Sequence, residues 1–414
     1  MRLEKCADLQ PTSASIYVPF YKYLKYVGIY PYAFEFHPVP KNFTGIHPLR
    51  KLSTQKSGLF VIFNRFVILV NFMQTLFLLA QLVWTISTQH SDSSMILNLI
   101  AWFGLYGLGL VVVVKQFMDG EAICQWITET NAMELEIYER YNSRNPSSHK
   151  TAFRRLAIKM VLFSLTGAGI TITHHLQYPD SPVFIYSILS KSSYFKNPLF
   201  LTLSTILHTL FMIYELGFMV QHVSGCLNFC RVLESCLNLM SFESREKFAP
   251  FELLVELDQA LIYYKRLDHL VKESNKLFAW NLAIIMGGYS LMGCIVAFLP
   301  LHYWDSNSPL MLGYIFLFVT MMYIFCRTIP GMGKVYEVSK SFRVSWLRGV
   351  SYSKDSLNLV VEQGNYFKLL KLRLQSCIPF GFKCGNFFYI KTSTILTFFS
   401  AIATYVIILL QLDI

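Results

Sequence analysis

Hydroxyl and amide side chains follow one face of the last apolar segment of the chain. They are spaced by 4, 3, 4 and 7 residues, the repeat of one helix face, at Ser393, Thr397, Ser400, Thr404 and Gln411. Ile407 and Ile408 fill the gap before Gln411, and Asp413 follows it. Serine and threonine often pack helices together, but several copies of this helix around an axis would form a hydroxyl-lined conduit. An isoleucine ring in that conduit would exclude water and so gate ions by dewetting.

No other group of residues has the spacing of a catalytic centre or a metal site. The sequence contains no phosphate-binding loop, no Gly-x-Gly-x-x-Gly motif after a strand, no His-Glu-x-x-His motif and no paired Cys-x-x-Cys motif. Cys226 and Cys230 stand at helical spacing, where burial on a packing seam explains them better than metal binding. His174 and His175 suit a position beside a binding cavity. We therefore expect no enzyme, no metal and no cofactor.

The composition places these residues in a membrane protein. Apolar residues make up 54% of the 414 residues and charged residues 15%, well below the roughly 25% of soluble domains. The net charge of +11 would suit nucleic acid if it covered a soluble surface. Because the apolar residues occur in long runs instead, we expect membrane lipid around the chain and no nucleic-acid partner.

A helix needs about 20 residues to cross a bilayer core about 30 Å thick. The sequence contains seven apolar runs of about that length. They are Phe66 to Ser87, Met95 to Val114, Leu156 to Ile172, Leu199 to Val220, Leu277 to Pro300, Leu310 to Cys326 and Phe388 to Leu410. The first 60 residues are polar or mixed and contain no signal peptide, so we expect the first span to direct insertion. The predicted fold is an all-α membrane protein with seven transmembrane helices.

Basic residues set the orientation, because loops rich in lysine and arginine stay in the cytoplasm. With the N-terminus inside, 34 of the 36 basic residues fall on the cytoplasmic side, and only Lys191 and Lys196 fall outside. The sequence therefore predicts a cytoplasmic N-terminus and an extracellular C-terminus. This orientation is the reverse of a rhodopsin-type G-protein-coupled receptor. A secondary transporter is also disfavoured, because the sequence contains no inverted repeat and no paired broken spans.

The two long cytoplasmic connections are predicted to be helical. The connection after span 4 contains two apolar series at helical spacing, Cys226, Cys230, Leu233, Leu237 and Met240, then Leu253, Leu257, Ala260, Tyr264, Leu267 and Val271. Such a repeat is typical of a helix-packing seam, and we interpret these two series as spans 4 and 5 continuing into a stalk. An amphipathic helix on the membrane surface has the same repeat and is the alternative. A third apolar series, with Phe367, Leu370 and Leu374, lies between span 6 and a break at residues 376–385.

These features divide the chain into six segments. A cytoplasmic segment is expected first, followed by transmembrane helices 1 to 4, helical extensions of spans 4 and 5, helices 5 and 6, a region with a cytoplasmic helix, and the last helix. Their bounds are 1–65, 66–223, 224–276, 277–329, 330–387 and 388–414. Residues 224–276 and 330–387 together are called the anchor region below.

The end of the chain resembles a known signature. Thr404-Tyr405, five apolar residues, Gln411 and Leu412 closely resemble the C-terminal signature of arthropod gustatory receptors, which is Thr-Tyr, five apolar residues, Gln and Phe. Leu412 replaces the final phenylalanine, as in the related odorant co-receptors. Residues 19–32 are similar to the amphipathic entry of the same superfamily. The chain is thus identified as a member of the gustatory and odorant receptor superfamily.

The resemblance implies a ligand-gated, cation-permeable channel in the plasma membrane of sensory neurons, built as a homo- or heterotetramer of related subunits. In that superfamily the last span lines the central pore and the anchor region joins the subunits. Thr404, Ile408 and Gln411 match the signature and are the first predicted pore residues. The remaining predicted pore and gate residues are Thr397, Ser400, Ile407 and Asp413.

The resemblance also implies a ligand pocket in the outer half of each subunit. Aromatic walls with a few polar groups are typical of small-molecule cavities, and spans 2 to 6 carry such residues there. The predicted ligand-binding residues are Trp102, Tyr106, Thr171, His174, His208, Tyr289, Tyr314 and Phe318. The predicted function is a gustatory-type channel opened by a small-molecule tastant, with an odorant receptor subunit as the nearest alternative. A G-protein-coupled receptor and a secondary transporter are more distant alternatives.

The charge distribution makes a topological prediction. An epitope tag after Ile414 should be stained by antibody on intact cells, whereas a tag before Met1 should be stained only after permeabilisation, because lysine and arginine hold the N-terminal side in the cytoplasm. The reverse staining pattern would contradict the predicted orientation.

Overall fold

The computed structural model describes most of the chain. Within these residues the chain is almost entirely helical, with two short two-stranded antiparallel sheets. The described residues are 12, 14, 15, 18, 22, 32–37, 49–55, 58–88, 93–141, 158, 165–169, 171–184, 186–189, 197–245, 250–302, 308–353 and 361–411.

The first two long helices pack against each other. Helix α1 spans Leu59–Ser87 and helix α2 spans Ser93–Met118. Helix α1 buries the polar side chains of Asn64, Asn71 and Gln74 and exposes large apolar ones such as Leu69 and Trp84. Polar groups inside the bundle and apolar groups outside are typical of a helix whose outer face contacts lipid.

Helix α3, Gly120–Arg140, packs against a small sheet near the N-terminus. Strands β1, Tyr32–Phe36, and β2, Leu49–Thr54, are antiparallel. The side-chain amide of Asn131 donates to the Leu49 carbonyl oxygen at 2.7 Å, and the Leu52 N–H donates to Thr128 Oγ1 at 3.1 Å. The sequence analysis predicted neither α3 nor this sheet, because both depend on contacts between distant segments.

Three helices are far longer than a membrane crossing. Helix α4 is the single turn Tyr186–Leu189, preceded by helical residues 165–169 and 171–177, and α5 spans Pro198–Leu239. After a 3₁₀ turn at Phe242–Arg245, α6 spans Pro250–His302 and α7 spans Ser308–Ser353. At 1.5 Å per residue these three helices extend about 63, 80 and 69 Å, against the about 30 Å of a bilayer core. Each is therefore at least about twice as long as a bilayer core is thick.

The three long helices pack together in the anchor region. The Trp346 indole N–H of α7 donates to the Met240 carbonyl oxygen at the end of α5 at 2.8 Å. The Tyr264 ring of α6 stacks on the Phe342 ring of α7 with 4.8 Å between centroids. The predicted seams lie in this core, whose fully buried members include Leu233, Leu237, Leu257, Leu267, Leu370 and Leu374.

The segment between helix α8, Val361–Gln375, and the last helix is held by polar side chains of α6 and α7, of which Ser339 is buried and Asn275 half-buried. Ser339 Oγ donates to the Phe380 carbonyl oxygen at 2.9 Å and accepts from the Phe380 N–H at 3.1 Å. The Asn275 side-chain N–H donates to the Gly381 carbonyl oxygen at 3.0 Å, and the Asn275 side-chain oxygen accepts from the Lys383 N–H at 2.9 Å. Strands β3, Lys383–Cys384, and β4, Phe388–Tyr389, then form a short hairpin, and α9 follows at Thr394–Gln411.

Five described helices are long and apolar enough to cross a membrane, namely α1, α2, α9 and parts of α6 and α7. They coincide with predicted spans 1, 2, 5, 6 and 7. Most of predicted span 3 lies outside the described residues. Predicted span 4 lies within α5, in which the shorter apolar helix Pro198–Phe211 is recognised. The count of seven spans and the orientation of the termini stay predictions.

One predicted boundary is wrong. Span 7 is predicted from Phe388, but the helix begins at Thr394 because Phe388–Tyr389 pairs with Lys383–Cys384 as a strand. Helix α1 begins at Leu59 and contains the whole apolar run from Phe66 to Ser87, so the start of span 1 within it stays a prediction. Apolar residues do not mark a helix start by themselves, since capping and turn contacts decide it.

Ser339 provides a test of how the segment before α9 is held. Replacing Ser339 by Ala leaves the buried Phe380 N–H and C=O without this partner, so the free energy of unfolding should fall by about 1–3 kcal/mol. The exposed Ser341 bonds only the Val338 carbonyl of its own helix, so Ser341→Ala should change it by less than about 0.5 kcal/mol. Thermal unfolding of the purified protein in detergent measures both variants, and equal melting temperatures would contradict the assignment.

Candidate pore helix and ligand-binding region

The start of α9 is set by a capping threonine. Thr394 Oγ1 accepts a hydrogen bond from the Lys391 N–H at 3.0 Å, and the Thr394 N–H donates to the Lys391 carbonyl oxygen at 3.0 Å. The preceding Ile390 N–H donates to the Phe382 carbonyl oxygen at 2.9 Å, which ties the loop to the segment held by Ser339 and Asn275. The first turn of α9 is therefore fixed to the anchor region.

One face of α9 packs against α6 and α7. Its buried side chains are Phe398, Ile402 and Val406, at a spacing of four residues. The Phe398 ring lies 4.3 Å from the Phe325 ring of α7, centroid to centroid. A methyl group added at Gly293 of α6 would lie 3.4 Å from Ile402 Cδ1, so the two helices are in close contact there.

The opposite face of α9 is exposed and carries the predicted pore residues. At 3.6 residues per turn this face points roughly opposite to the buried face. The Thr404 hydroxyl needs no second helix, since Thr404 Oγ1 donates to the Ser400 carbonyl oxygen at 2.8 Å. Asp413 lies outside the described residues. The exposed members of the stripe are Thr397, Ser400, Thr404, Ile407, Ile408 and Gln411.

Four predicted ligand-binding residues come together around Phe184. Phe184 lies in the turn after helical residues 171–177, and its ring centroid is 6.5 Å from Trp102, 5.0 Å from His174 and 5.0 Å from His208. The Tyr106 ring stacks at 6.0 Å from the Trp102 ring. All five side chains are buried. We call Trp102, Tyr106, His174, Phe184 and His208 the outer cluster.

The other four predicted ligand-binding residues do not belong to the outer cluster. Thr171 is buried and bonds the Gly167 carbonyl oxygen of its own helix at 3.0 Å. The Tyr314 hydroxyl donates to the side-chain carbonyl of Asn98 on α2, and Phe318 packs one turn further along α7. Tyr289 contacts the Phe325 ring at 6.1 Å and lines a separate cavity.

Two members of the buried aromatic core, His175 and Phe184, are not among the predicted ligand-binding residues, although the sequence analysis placed His175 beside a binding cavity. The His175 ring lies 4.1 Å from Phe184 and 5.6 Å from His208, and neither of its nitrogens has a hydrogen-bond partner among the described residues. The sequence could have identified His175, because it directly follows the predicted residue His174. It could not have identified Phe184, which lies in a turn and takes part in no periodic pattern.

Cys230 and Cys236 of α5 are buried and Cys226 is half-buried, as a packing seam requires. Burial raises the pKa of the Cys230 and Cys236 thiols. Within the described part of the chain, no group of three or more histidine, cysteine or acidic side chains could hold a metal ion.

A cavity of about 180 Å³ lies between α2, α3, α5, α6 and α7. Aromatic rings form much of its wall, with Trp126 centred 4.5 Å from Phe229 and 5.4 Å from Phe278. Phe325, which contacts Phe398 of α9, belongs to the same wall. Of the predicted ligand-binding residues only Tyr289 lines this cavity. We call it the inner cavity.

Comparisons with known proteins agree with this architecture. The family model described as 7tm Chemosensory receptor matches residues 19–414. The structure of the insect olfactory receptor OR5 from Machilis hrabei is similar, with 14% identity, a TM-score of 0.64, and coverage of 96% of this chain and 99% of that chain. The structure of OR5 in complex with eugenol is similar with 13% identity, a TM-score of 0.63, and coverage of 95% and 98%.

No curated protein matches the sequence. The family model, however, covers nearly the whole chain, from the N-terminal segment through α9, and the likeness to OR5 shows the same fold over nearly the full length of both chains. The protein is a chemosensory receptor, and the chain belongs to the 7tm Chemosensory receptor family.

Proposed function

We propose that this receptor is itself a ligand-gated cation channel, in which α9 of each subunit lines a central pore. The observation that carries the proposal is the exposed polar stripe of α9, which points away from the subunit's own helices. Serine and threonine can satisfy their hydroxyl groups on their own helix, so exposure of any single one decides little. Aligned polar positions opposite the packing face fit a helix that faces water at an axis.

The proposed assembly is a homo- or heterotetramer of related subunits in the plasma membrane of sensory neurons, with seven spans and a cytoplasmic N-terminus. The exposed Ile407 and Ile408 would meet at the axis of the closed channel and exclude water, and opening would move them apart. Gln411, one turn further along, would offer amide oxygens to permeating cations.

We propose that the ligand is a small molecule that binds at the outer cluster, where buried histidines and aromatic rings offer polar and apolar contacts. The relative OR5 has been described in complex with eugenol, a small molecule, which supports this part of the proposal. The signature at Thr404 to Leu412 favours a gustatory-type receptor for a tastant. The likeness in fold to OR5 favours the second candidate, an odorant receptor subunit.

The packing offers a route from the outer cluster to the pore. Trp102 and Tyr106 lie on α2, and a methyl group added at Gly104 of α2 would lie 3.3 Å from the Met292 side chain of α6. The next residue of α6, Gly293, is in close contact with Ile402 of α9. A shift of α2 by a ligand would therefore reach α9 through one helix, along contiguous packed side chains.

Cysteine substitution tests the pore assignment, with positions on the buried face of α9 as the matched control. Thr404→Cys, Ile408→Cys and Gln411→Cys should react with a water-soluble thiol reagent during ligand application, because their face lines water. Ile402→Cys and Val406→Cys should stay unmodified, because they pack against α6 and α7. Block of the ligand-evoked current measures the reaction. Equal reactivity of both faces, or no reaction at the three exposed positions, would refute the pore assignment.

A polar substitution in the isoleucine ring tests the gate. Ile408→Ser should produce current without ligand, because a hydroxyl ring lets water into the constriction. Leu410→Ser is the control, since Leu410 is exposed on α9 but lies about 160° around the helix from Ile408, and it should leave the channel closed. Voltage-clamp recording with matched surface expression distinguishes the two, and a silent Ile408→Ser receptor at normal surface levels would count against the gate.

A further inference from the structure

The inner cavity lies apart from the outer cluster. Its wall is formed by α2, α3 and the three long helices and extends to Asn228 and Phe229 at the start of the anchor region. Among the residues that the structure describes on this wall, none belongs to the outer cluster. The cavity is therefore distinct from the proposed site of the small-molecule ligand.

The surface of the inner cavity is almost entirely carbon. Its lining includes the rings of Trp126, Phe229 and Phe278 and the side chains of Met286 and Met321. Aromatic rings offer a large apolar contact area, and the flexible thioether side chains adapt to irregular shapes. A wall of this kind suits an apolar occupant.

Several polar groups of the wall are already bonded to the protein backbone. The Trp126 indole N–H donates to the Leu270 carbonyl oxygen at 3.1 Å. The Thr130 and Thr328 hydroxyls each donate, at 2.8 Å, to the carbonyl oxygen four residues earlier in their own helices. These groups do not need an occupant as a hydrogen-bond partner.

Other polar groups of the wall are covered or engaged. The side-chain oxygens of three wall amides have almost no accessible surface, so an occupant does not touch them, and these amides are Gln116, Asn228 and Asn281. The buried Glu134 carboxylate takes part in an interaction within the protein. A buried water needs about two to four polar partners, so this cavity is better suited to an apolar molecule than to water.

We propose that the inner cavity binds a small apolar molecule of hydrocarbon type, with the size of a single six-membered ring and a short substituent. A cavity of about 150 Å³ lined by aliphatic and aromatic side chains stays dry and holds benzene, and this one measures about 180 Å³. An empty cavity leaves its lining atoms without van der Waals partners, and an occupant without polar groups restores those contacts.

The position of the cavity gives its occupant a route to α9. Phe325 of α7 belongs to the cavity wall, and its ring contacts the Phe398 ring of α9 at 4.3 Å. An occupant that moves Phe325 would thus shift the face of α9 opposite to the polar stripe. This consequence rests on the proposed pore, whereas binding in the cavity does not.

Thermal unfolding of the purified full-length receptor in detergent tests the site without recording current, so its failure is distinguishable from a failure of the proposed channel. The probes are benzene, phenol and biphenyl, which differ by a hydroxyl group or by a second ring. Benzene should raise the melting temperature in a saturable way. Phenol should bind no more tightly than benzene, because the wall groups described above are already bonded or covered. Biphenyl should have no effect, because its second ring exceeds the space.

Substitutions assign the effect to the cavity. An added methyl group at Gly225 of the wall meets no atom within 4 Å. Gly225→Leu should therefore occupy the cavity and weaken benzene binding at least about tenfold. Gly287→Leu, equally open but outside the described wall, should change benzene binding by less than about twofold. Phe278→Ala removes a ring from the wall and should allow biphenyl to stabilise the receptor.

Four results would overturn the proposal. Equal stabilisation by benzene and biphenyl would mean that the probes enter the micelle or cover the outer surface. Benzene binding that survives Gly225→Leu would place the site elsewhere. Tighter binding of phenol than of benzene would mean that the cavity presents polar groups to its occupant. A melting temperature that benzene does not change would mean that the cavity takes no apolar ligand.

Discussion

The structure depends on one constraint, which is that each helix crossing a membrane must direct its polar side chains away from lipid. Helix α1 does so by turning Asn64, Asn71 and Gln74 toward its own bundle. Helix α9 does the opposite, since its own bundle receives Phe398, Ile402 and Val406 while its serines and threonines point outward. An outward polar stripe on a membrane helix is the feature that supports the proposed water-filled axis beyond the subunit.

The anchor region fixes the direction in which the polar stripe of α9 faces. Side chains of α6 and α7, the half-buried Asn275 and the buried Ser339, bond the backbone of residues 380–383, and the following hairpin leads into the first turn of α9. The rotation of α9 about its axis is therefore set at its first turn by hydrogen bonds and along its length by Gly293 and Phe325. The inner cavity contacts α9 through Phe325 of α7, and the outer cluster lies on helices that contact α9 through α6.

Helix periodicity made much of this fold predictable. The seams through Leu233, Leu257 and Leu370 and the polar stripe of α9 are local patterns, and they lie where their spacing predicts. What could not be predicted depends on partners far apart in the chain. Ser339 bonds a residue 41 positions away and Asn275 one 106 positions away. The strand at Phe388–Tyr389 and the position of Phe184 in the outer cluster could not be predicted for the same reason, because no local pattern reports a tertiary contact.

The central claim is that the exposed face of α9 meets its counterparts from other subunits at an axis, and cross-linking between copies tests it directly. In Ile408→Cys receptors without ligand, mild oxidation should join subunits into disulfide-linked dimers on a non-reducing gel, because the closed constriction brings the thiols together. The buried Ile402→Cys should stay monomeric under the same oxidant. Dimers formed by Ile402→Cys but not by Ile408→Cys, or by neither variant in an intact assembly, would contradict a pore lined by α9.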